Sequence, residues 1–211
     1  MKQPLPRSRF SGFTLIELLI VVSIIGLLTV AFLPDLLSSG ESADEAATQV
    51  NMSRLATGCE TFMRKRGYYP PDNFVDPDGK YKFKSDNGVN TGIESLVAFL
   101  SQSRASGMDL SDLGDQLTNT DGDDNGEVLP LLSRKGRVEL SDAWGMPLVY
   151  FSKTGSGFAA EQTVRGFGQD MTVTARKNQD GLPIGGRKFQ ILSAGSDQVF
   201  GTEDDLSYPV N

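Results

Sequence analysis

Apolar and polar positions divide the chain into three zones. From Leu18 to Leu33 every residue is apolar except Ser23, Gly26 and Thr29, and counted from Phe13 the run is 21 residues long. That length crosses a bilayer core as one helix. From Asp44 to Arg66 the pattern changes: Met52, Leu55, Cys59, Phe62 and Met63 recur at spacings of three and four, the period of one helical face. Gly67-Tyr68-Tyr69-Pro70-Pro71 then ends the helix with a glycine and two prolines. Downstream, residues 92–100 read as a short amphipathic helix. Three segments, 147–151, 171–175 and 188–192, are rich in β-branched or aromatic residues and bounded by glycine, so they are expected as strands. The predicted class is α+β, a long N-terminal helix whose second half packs against a small antiparallel sheet.

Two features interrupt that helix pattern. Pro34 removes a helical hydrogen bond just past the lipid-length run and is expected to bend or loosen the helix there. Beyond it, Ser38-Ser39-Gly40 lowers helix propensity and Ser42 to Glu45 forms a capping-box pattern, so a break near 38–41 is allowed for.

Charge narrows the classes. The chain has 27 acidic and 20 basic side chains, a net charge of −7, and Lys2, Arg7 and Arg9 lie ahead of the apolar run, leaving −10 for the remainder. An acidic body repels phosphate backbones, so no nucleic-acid partner is expected, and the local cations of 64–66 and 80–84 read as solvated faces. Basic residues before the run orient the N-terminus to the cytoplasm and the rest to the opposite side. A cleavable secretory signal is the main rival, but no small-x-small tripeptide follows promptly; Leu33-Pro34-Asp35 does. There is no histidine and one cysteine, Cys59, which excludes imidazole catalysis, histidine-ligated metals and an intrachain disulfide. Cys59 falls on the apolar helical face and is expected as a small core residue. With no phosphate loop either, no enzyme is expected.

The string Gly12-Phe13-Thr14-Leu15-Ile16-Glu17, preceded by cations and followed by the apolar run, resembles the prepilin peptidase site of type IV pilins and type II secretion pseudopilins. The resemblance implies a pilin-like fold, cleavage between Gly12 and Phe13, and N-methylation of Phe13. It divides the chain into a leader (1–12), a membrane and assembly helix (13–34), an amphipathic second half (35–66) and a periplasmic head (67–211). A carboxylate at the bilayer centre costs roughly 2.5–3.5 kcal/mol, less near an interface, so Glu17 calls for a partner. The resemblance supplies one, the free amino end of a neighbouring subunit, and gives Glu17 and Pro34 assembly roles. The simpler alternative is a glutamate that reaches the headgroups by itself.

The segment 193–206, Ser-Ala-Gly-Ser-Asp-Gln-Val-Phe-Gly-Thr-Glu-Asp-Asp-Leu, holds four acids within nine residues and no cation. Two carboxylates 4 Å apart repel by roughly 4 kcal/mol at an effective dielectric of 20, so compaction calls for a cation, and oxygen donors without histidine or thiolate favour calcium. The stretch resembles the C-terminal calcium loop of the major pseudopilin of type II secretion. That likeness implies side-chain ligation by Asp197, Asp204 and Asp205, with Glu203 as a further candidate, and backbone carbonyls around Leu192, Ser196 and Phe200. The alternative is an exposed acidic turn without a fixed ion.

A second acidic loop, 121–127, places Asp121, Asp123 and Asn125 at alternate positions followed by Gly126, the first half of an EF-hand loop. Leu132 stands where a bidentate glutamate is needed, so a solvated loop is the stronger reading and a second calcium the weaker. Residues 142–147, Asp-Ala-Trp-Gly-Met-Pro, resemble the family's Asp-Pro-Trp-Gly-x-Pro turn, with Trp144 expected as a core anchor rather than a ligand platform. Residues 101–140 have no counterpart in that family.

The expected function is a structural subunit of a type II secretion pseudopilus. It is held in the bacterial inner membrane, processed by prepilin peptidase, and assembled as a homopolymer or with other pseudopilins on the inner-membrane assembly platform into a periplasmic filament that drives protein export. A type IV pilus or competence subunit is the alternative, which the missing disulfide and the calcium loop disfavour. A membrane-tethered calcium-dependent binding module that never polymerises is the other, and it has no need of a peptidase site.

Overall fold

The computed structural model describes residues 13–84, 86–102, 110–124, 128–129, 132, 134–158 and 160–209, and the side chains of 33–39, 134 and 135 fall outside that set. Two compact units are present, Met1–Ser42 and Ala43–Asn211. Helix α1 (Leu15–Arg66) contributes to both.

In the first unit the residues Leu15–Phe32 have a mean hydropathy of 2.7, and none of them is buried. Such a helix leaves no backbone group unpaired, as a membrane span requires. The polar side chains in it are also turned inward: Ser23 Oγ donates to Leu19 O and Thr29 Oγ1 to Ile25 O, both at 2.8 Å. α1 stays helical through 38–41, and Ser42 to Glu45 lies inside it rather than at a new start. The expected break is therefore absent: Ser and Gly weaken a helix by about 1 kcal/mol or less each, which flanking turns can carry. Pro34 lies within α1, and its side chain is outside the described set.

In the second unit α1 turns one face inward. Met52, Leu55, Ala56, Cys59 and Phe62 are buried, and Met63 packs partly buried against them, which matches the three–four spacing. Gly67 N donates to Met63 O at 2.8 Å and closes the last turn. Helix α2 (Thr91–Ser101) is buried almost along its whole length. Gly92 is required there, since a Cβ would collide with Tyr150 O and the Gln162 amide.

The strands are β1 (Leu117–Thr118), β2 (Val128–Leu129), β3 (Arg134–Lys135), β4 (Glu139–Leu140), β5 (Val149–Ser152), β6 (Gln162–Gly166), β7 (Gln169–Val173), β8 (Phe189–Ser193) and β9 (Leu206–Tyr208). All their pairings are antiparallel, and among the described residues they form four small sheets where one was expected: β5-β8-β9, β6-β7, β1-β4 and β2-β3. The β6–β7 hairpin turns through Phe167 and Gly168, both at positive φ, as a two-residue hairpin needs. Expected strands at 147–151, 171–175 and 188–192 survive as β5, β7 and β8 with ends shifted by one or two residues.

Trp144 is partly exposed and belongs to neither buried cluster, contrary to its expected anchoring role. Asp142 holds the turn instead. Its Oδ1 accepts from Trp144 N at 3.0 Å and Met146 N at 2.9 Å, its Oδ2 accepts from Ser193 Oγ at 2.7 Å, and Ala143 N donates to Thr48 Oγ1 of α1 at 3.1 Å. The turn thereby ties the helix to the end of β8.

Candidate functional site

At the head of α1, Phe13 is exposed, and Gly12 lies outside the described residues. Thr14 and Glu17 close a reciprocal cap. Glu17 Oε2 accepts from Thr14 N at 2.8 Å and Thr14 Oγ1 at 2.7 Å, while Glu17 N donates to Thr14 Oγ1 at 3.3 Å. This is a capping box, the helix start signature Thr-x-x-Glu, which satisfies two otherwise orphaned backbone donors. It gives the carboxylate a role inside its own chain, signalled in the sequence by the Thr-x-x-Glu spacing. One oxygen, Oε2, takes both donors from Thr14. Exposed Leu15, Ile16, Leu18, Leu19 and Val22 surround it, a surface that water does not favour and lipid or a neighbouring helix does.

The C-terminal acidic loop is the connection between β8 and β9. Leu192, in β8, pairs with Val149 and Ser207; Ser196 is exposed and Phe200 packs partly buried on the Val149 cluster. Asp204 organises the loop from within: its Oδ2 accepts from Asp197 N at 2.9 Å and Ser196 Oγ at 3.1 Å, and its Oδ1 from Thr202 Oγ1 at 2.6 Å. These donors, led by Thr202, pull its pKa down to about 2. Gly195 permits the approach, since any Cβ there would run into Asp204. Asp197 Oδ1 accepts from Val199 N at 2.8 Å, Asp205 Oδ2 from Gly201 N at 2.8 Å, and Glu203 is exposed. Asp205 Oδ1 is buried without a hydrogen-bond partner, and burial raises that carboxyl's pKa. Among the described residues no three of these four carboxylates meet within 4.8 Å.

The other acidic loop is arranged differently. Asn119 braces it, accepting from Gly122 N at 2.7 Å and donating to Asp123 O at 2.8 Å. Asp121 Oδ2 accepts from Asn87 Nδ2 at 2.6 Å; Asn125 lies outside the described residues. Asp121 and Asp123 meet three carboxylates that the sequence reading did not connect with them, Asp86, Glu94 and Glu139. Burial first, then Asp123 and Asp86, push Glu94 up to about 11, and burial with Asp121 pushes Asp123 up to about 6. A signal for Glu94 existed: it is the one charged residue of an eleven-residue helix that is buried at ten of its positions.

A family model described as the prokaryotic N-terminal methylation motif matches residues 7–33. This supports a type IV pilin-like chain. The match spans Arg7 and Arg9, the Gly12–Phe13 junction, the Thr14–Glu17 cap and the exposed apolar part of α1, and the α+β head is consistent with a pilin-like fold. No match was found to a curated protein or to a solved structure. The support for a pilin-like chain therefore comes from the prepilin-type segment, and the head is consistent with it in architecture.

Proposed function

We propose that this chain is the structural subunit of a type II secretion pseudopilus. It is cut between Gly12 and Phe13, methylated on Phe13, and built into a filament with no reaction of its own. The observation that carries this is a methylation-motif helix whose 18-residue lipid-length window, Leu15–Phe32, is wholly uncovered, with one carboxylate near its head. Lipid covers such a surface before assembly and neighbouring helices cover it afterwards. Once Phe13 bears the free amino end, Glu17 exchanges its Thr14 cap for the amine of the next subunit, a charge-assisted contact favoured in a medium of low dielectric. The head lies on the periplasmic side, and the assembly platform and other pseudopilins are its partners.

The same reading gives the β8–β9 loop a calcium ion. The fit is partial: Asp205 Oδ1 is an orphaned buried oxygen and Asp197 and Glu203 are open to an ion, whereas Asp204 is already occupied by three donors. Calcium would supply the positive charge that draws these groups together, in place of a disulfide that one cysteine cannot make.

Glu17→Leu tests the assembly role. The variant is expected to insert and to be cleaved like the natural chain but to give no filament when co-expressed with the peptidase and platform. Normal filament yield from Glu17→Leu would refute the pairing.

A further inference from the structure

The described head contains a second group of acids whose geometry does not depend on the filament reading. Two carboxylate triads, Asp86-Glu94-Asp123 and Glu94-Asp121-Glu139, each bring one oxygen per residue within 4.8 Å of the others, and they share Glu94. Glu94 is 1% exposed and Glu139 0%. Both Glu94 oxygens, with Glu139 Oε2, Asp86 Oδ1 and Asp123 Oδ1, are buried and have no hydrogen-bond partner. Native proteins rarely leave so many buried polar atoms unsatisfied in one place.

The surrounding chain is built to hold these groups. Asn90, in the left-handed conformation, starts α2; its Nδ2 donates to Thr120 Oγ1 at 3.0 Å and its Oδ1 accepts from Arg165 N at 2.9 Å. Thr120 in turn gives its backbone N–H to Glu139 Oε1 and its hydroxyl to Arg165 O at 2.6 Å. Asp86 Oδ2 accepts from Gly88 N at 3.1 Å and from the Thr91 hydroxyl. In each of Asp86 and Glu139 one oxygen is thus fixed by the protein and the other left over. Two arginines bear on the group: buried Arg137, whose charge opposes the rise in the Asp123 pKa while its Nη2 donates to Lys84 O at 2.6 Å, and Arg165, which makes a two-pronged pair with Asp170 at 2.5 and 2.8 Å; two positive charges leave five carboxylates short of balance.

We propose that Asp86, Glu94, Asp121, Asp123 and Glu139 form a divalent-cation site, with calcium the ion that fits it. The donors are all oxygens, which selects hard cations over zinc or copper. Calcium accepts about six to eight oxygens in a flexible shell, whereas magnesium demands a near-octahedral one and keeps most of its water, so a group built from many carboxylates suits calcium. Glu94, common to both triads, is the central ligand. The ion fastens the 119–123 loop and the start of β4 to the first turn of α2, so it acts as a removable cross-link in the part of the head from 86 to 139.

The test uses the full chain in detergent, stripped with chelator and titrated with CaCl2 by calorimetry and by thermal unfolding. Glu94→Gln and Asp123→Asn are compared with Asp205→Asn, which touches the β8–β9 loop and not this cluster. Glu94→Gln keeps shape and removes a carboxyl that burial and its acidic neighbours already disfavour as a charge, so in chelator it is expected to unfold at or above the temperature of the natural chain. It and Asp123→Asn are expected to lose one calcium equivalent, or to weaken it at least about tenfold, together with its thermal stabilisation. Asp205→Asn is expected to leave that equivalent in place. Unchanged calcium stoichiometry and affinity in both cluster variants would overturn the site, as would a natural chain that binds no calcium. Loss of a calcium equivalent in Asp205→Asn but in neither cluster variant would put the ion in the β8–β9 loop and overturn the site as well.

Discussion

Replacing Asp142 with alanine should loosen the head more than any single surface change, and its cost can be worked from the hydrogen bonds lost. Asp142 is 5% exposed and accepts from Trp144 N, Met146 N and Ser193 Oγ. Leaving the buried Met146 N–H unpaired costs about 1–3 kcal/mol, and the other two bonds about 0.5–1.5 kcal/mol each, for a total of about 2–6 kcal/mol. Asn at the same place keeps an Oδ1 for both backbone donors and loses mainly the Ser193 bond, so it should cost less than about 1.5 kcal/mol. Burial raises the Asp142 pKa despite those donors. An acid with a raised folded pKa loses stability as pH climbs through that range, and asparagine does not, so the gap between Asn and Asp should narrow from pH 4 to pH 7. Trp144, the single tryptophan, sits in the turn and reports unfolding by fluorescence, with near-ultraviolet dichroism as the independent probe. Equal losses for Ala and Asn, or a loss below about 1 kcal/mol for Ala, would refute the assignment of this turn to Asp142.

Phe62→Ala removes a fully buried ring that meets Tyr68 and Phe99 edge-to-face at 5.6 and 6.0 Å; a loss of about 3–5 kcal/mol in head stability is expected by denaturant titration, and a loss under about 1 kcal/mol would contradict the packing of α1 on the head. At alkaline pH the head should weaken. Burial raises the Cys59 thiol well above its usual 9.0, and burial with the Asp76 hydrogen bond raises Tyr68 from 10.0 to about 12, so above pH 9 the unfolded chain releases protons that the folded chain retains, costing up to about 1.4 kcal/mol per pH unit for Cys59 and less for the partly exposed Tyr68. Denaturation midpoints that stay flat from pH 8 to 11 would exclude this, and Cys59→Ala should remove the earliest part of the fall. Lys188 and Glu60 pair at 2.8 Å but are largely exposed; Lys188→Ala should shift the same midpoint by no more than about 1 kcal/mol, less at high salt.

What was legible in the sequence follows from the range of the interactions. The buried face of α1 could be read because helical period is a local property, and Met52, Leu55, Cys59 and Phe62 are where it puts them. The membrane-length run and its glutamate were equally plain. The Thr14–Glu17 cap was just as local and was passed over because the glutamate had been matched to a distant partner. The short ladders were harder: β1, β4 and β9 have two or three residues each, below the length at which alternation can be told from chance. The carboxylate group is the clearest case of what sequence hides. Asp121 and Asp123 resemble half of a calcium loop, and the carboxylates that meet them come from Asp86, α2 and β4, as far as 35 residues upstream and 18 downstream of Asp121. Only packing brings them together. Trp144 failed as an anchor because the turn is held through the Asp142 carboxylate, leaving the ring at the surface.

The account rests on the N-terminal segment being processed as a prepilin, and intact-mass and N-terminal fragment analysis of the membrane-extracted protein, co-expressed with a prepilin peptidase, tests this most directly. A chain that begins at Phe13 and carries one added methyl on its amino group is the predicted product. A chain that still carries Gly12, or is cut elsewhere along the apolar run, would contradict it.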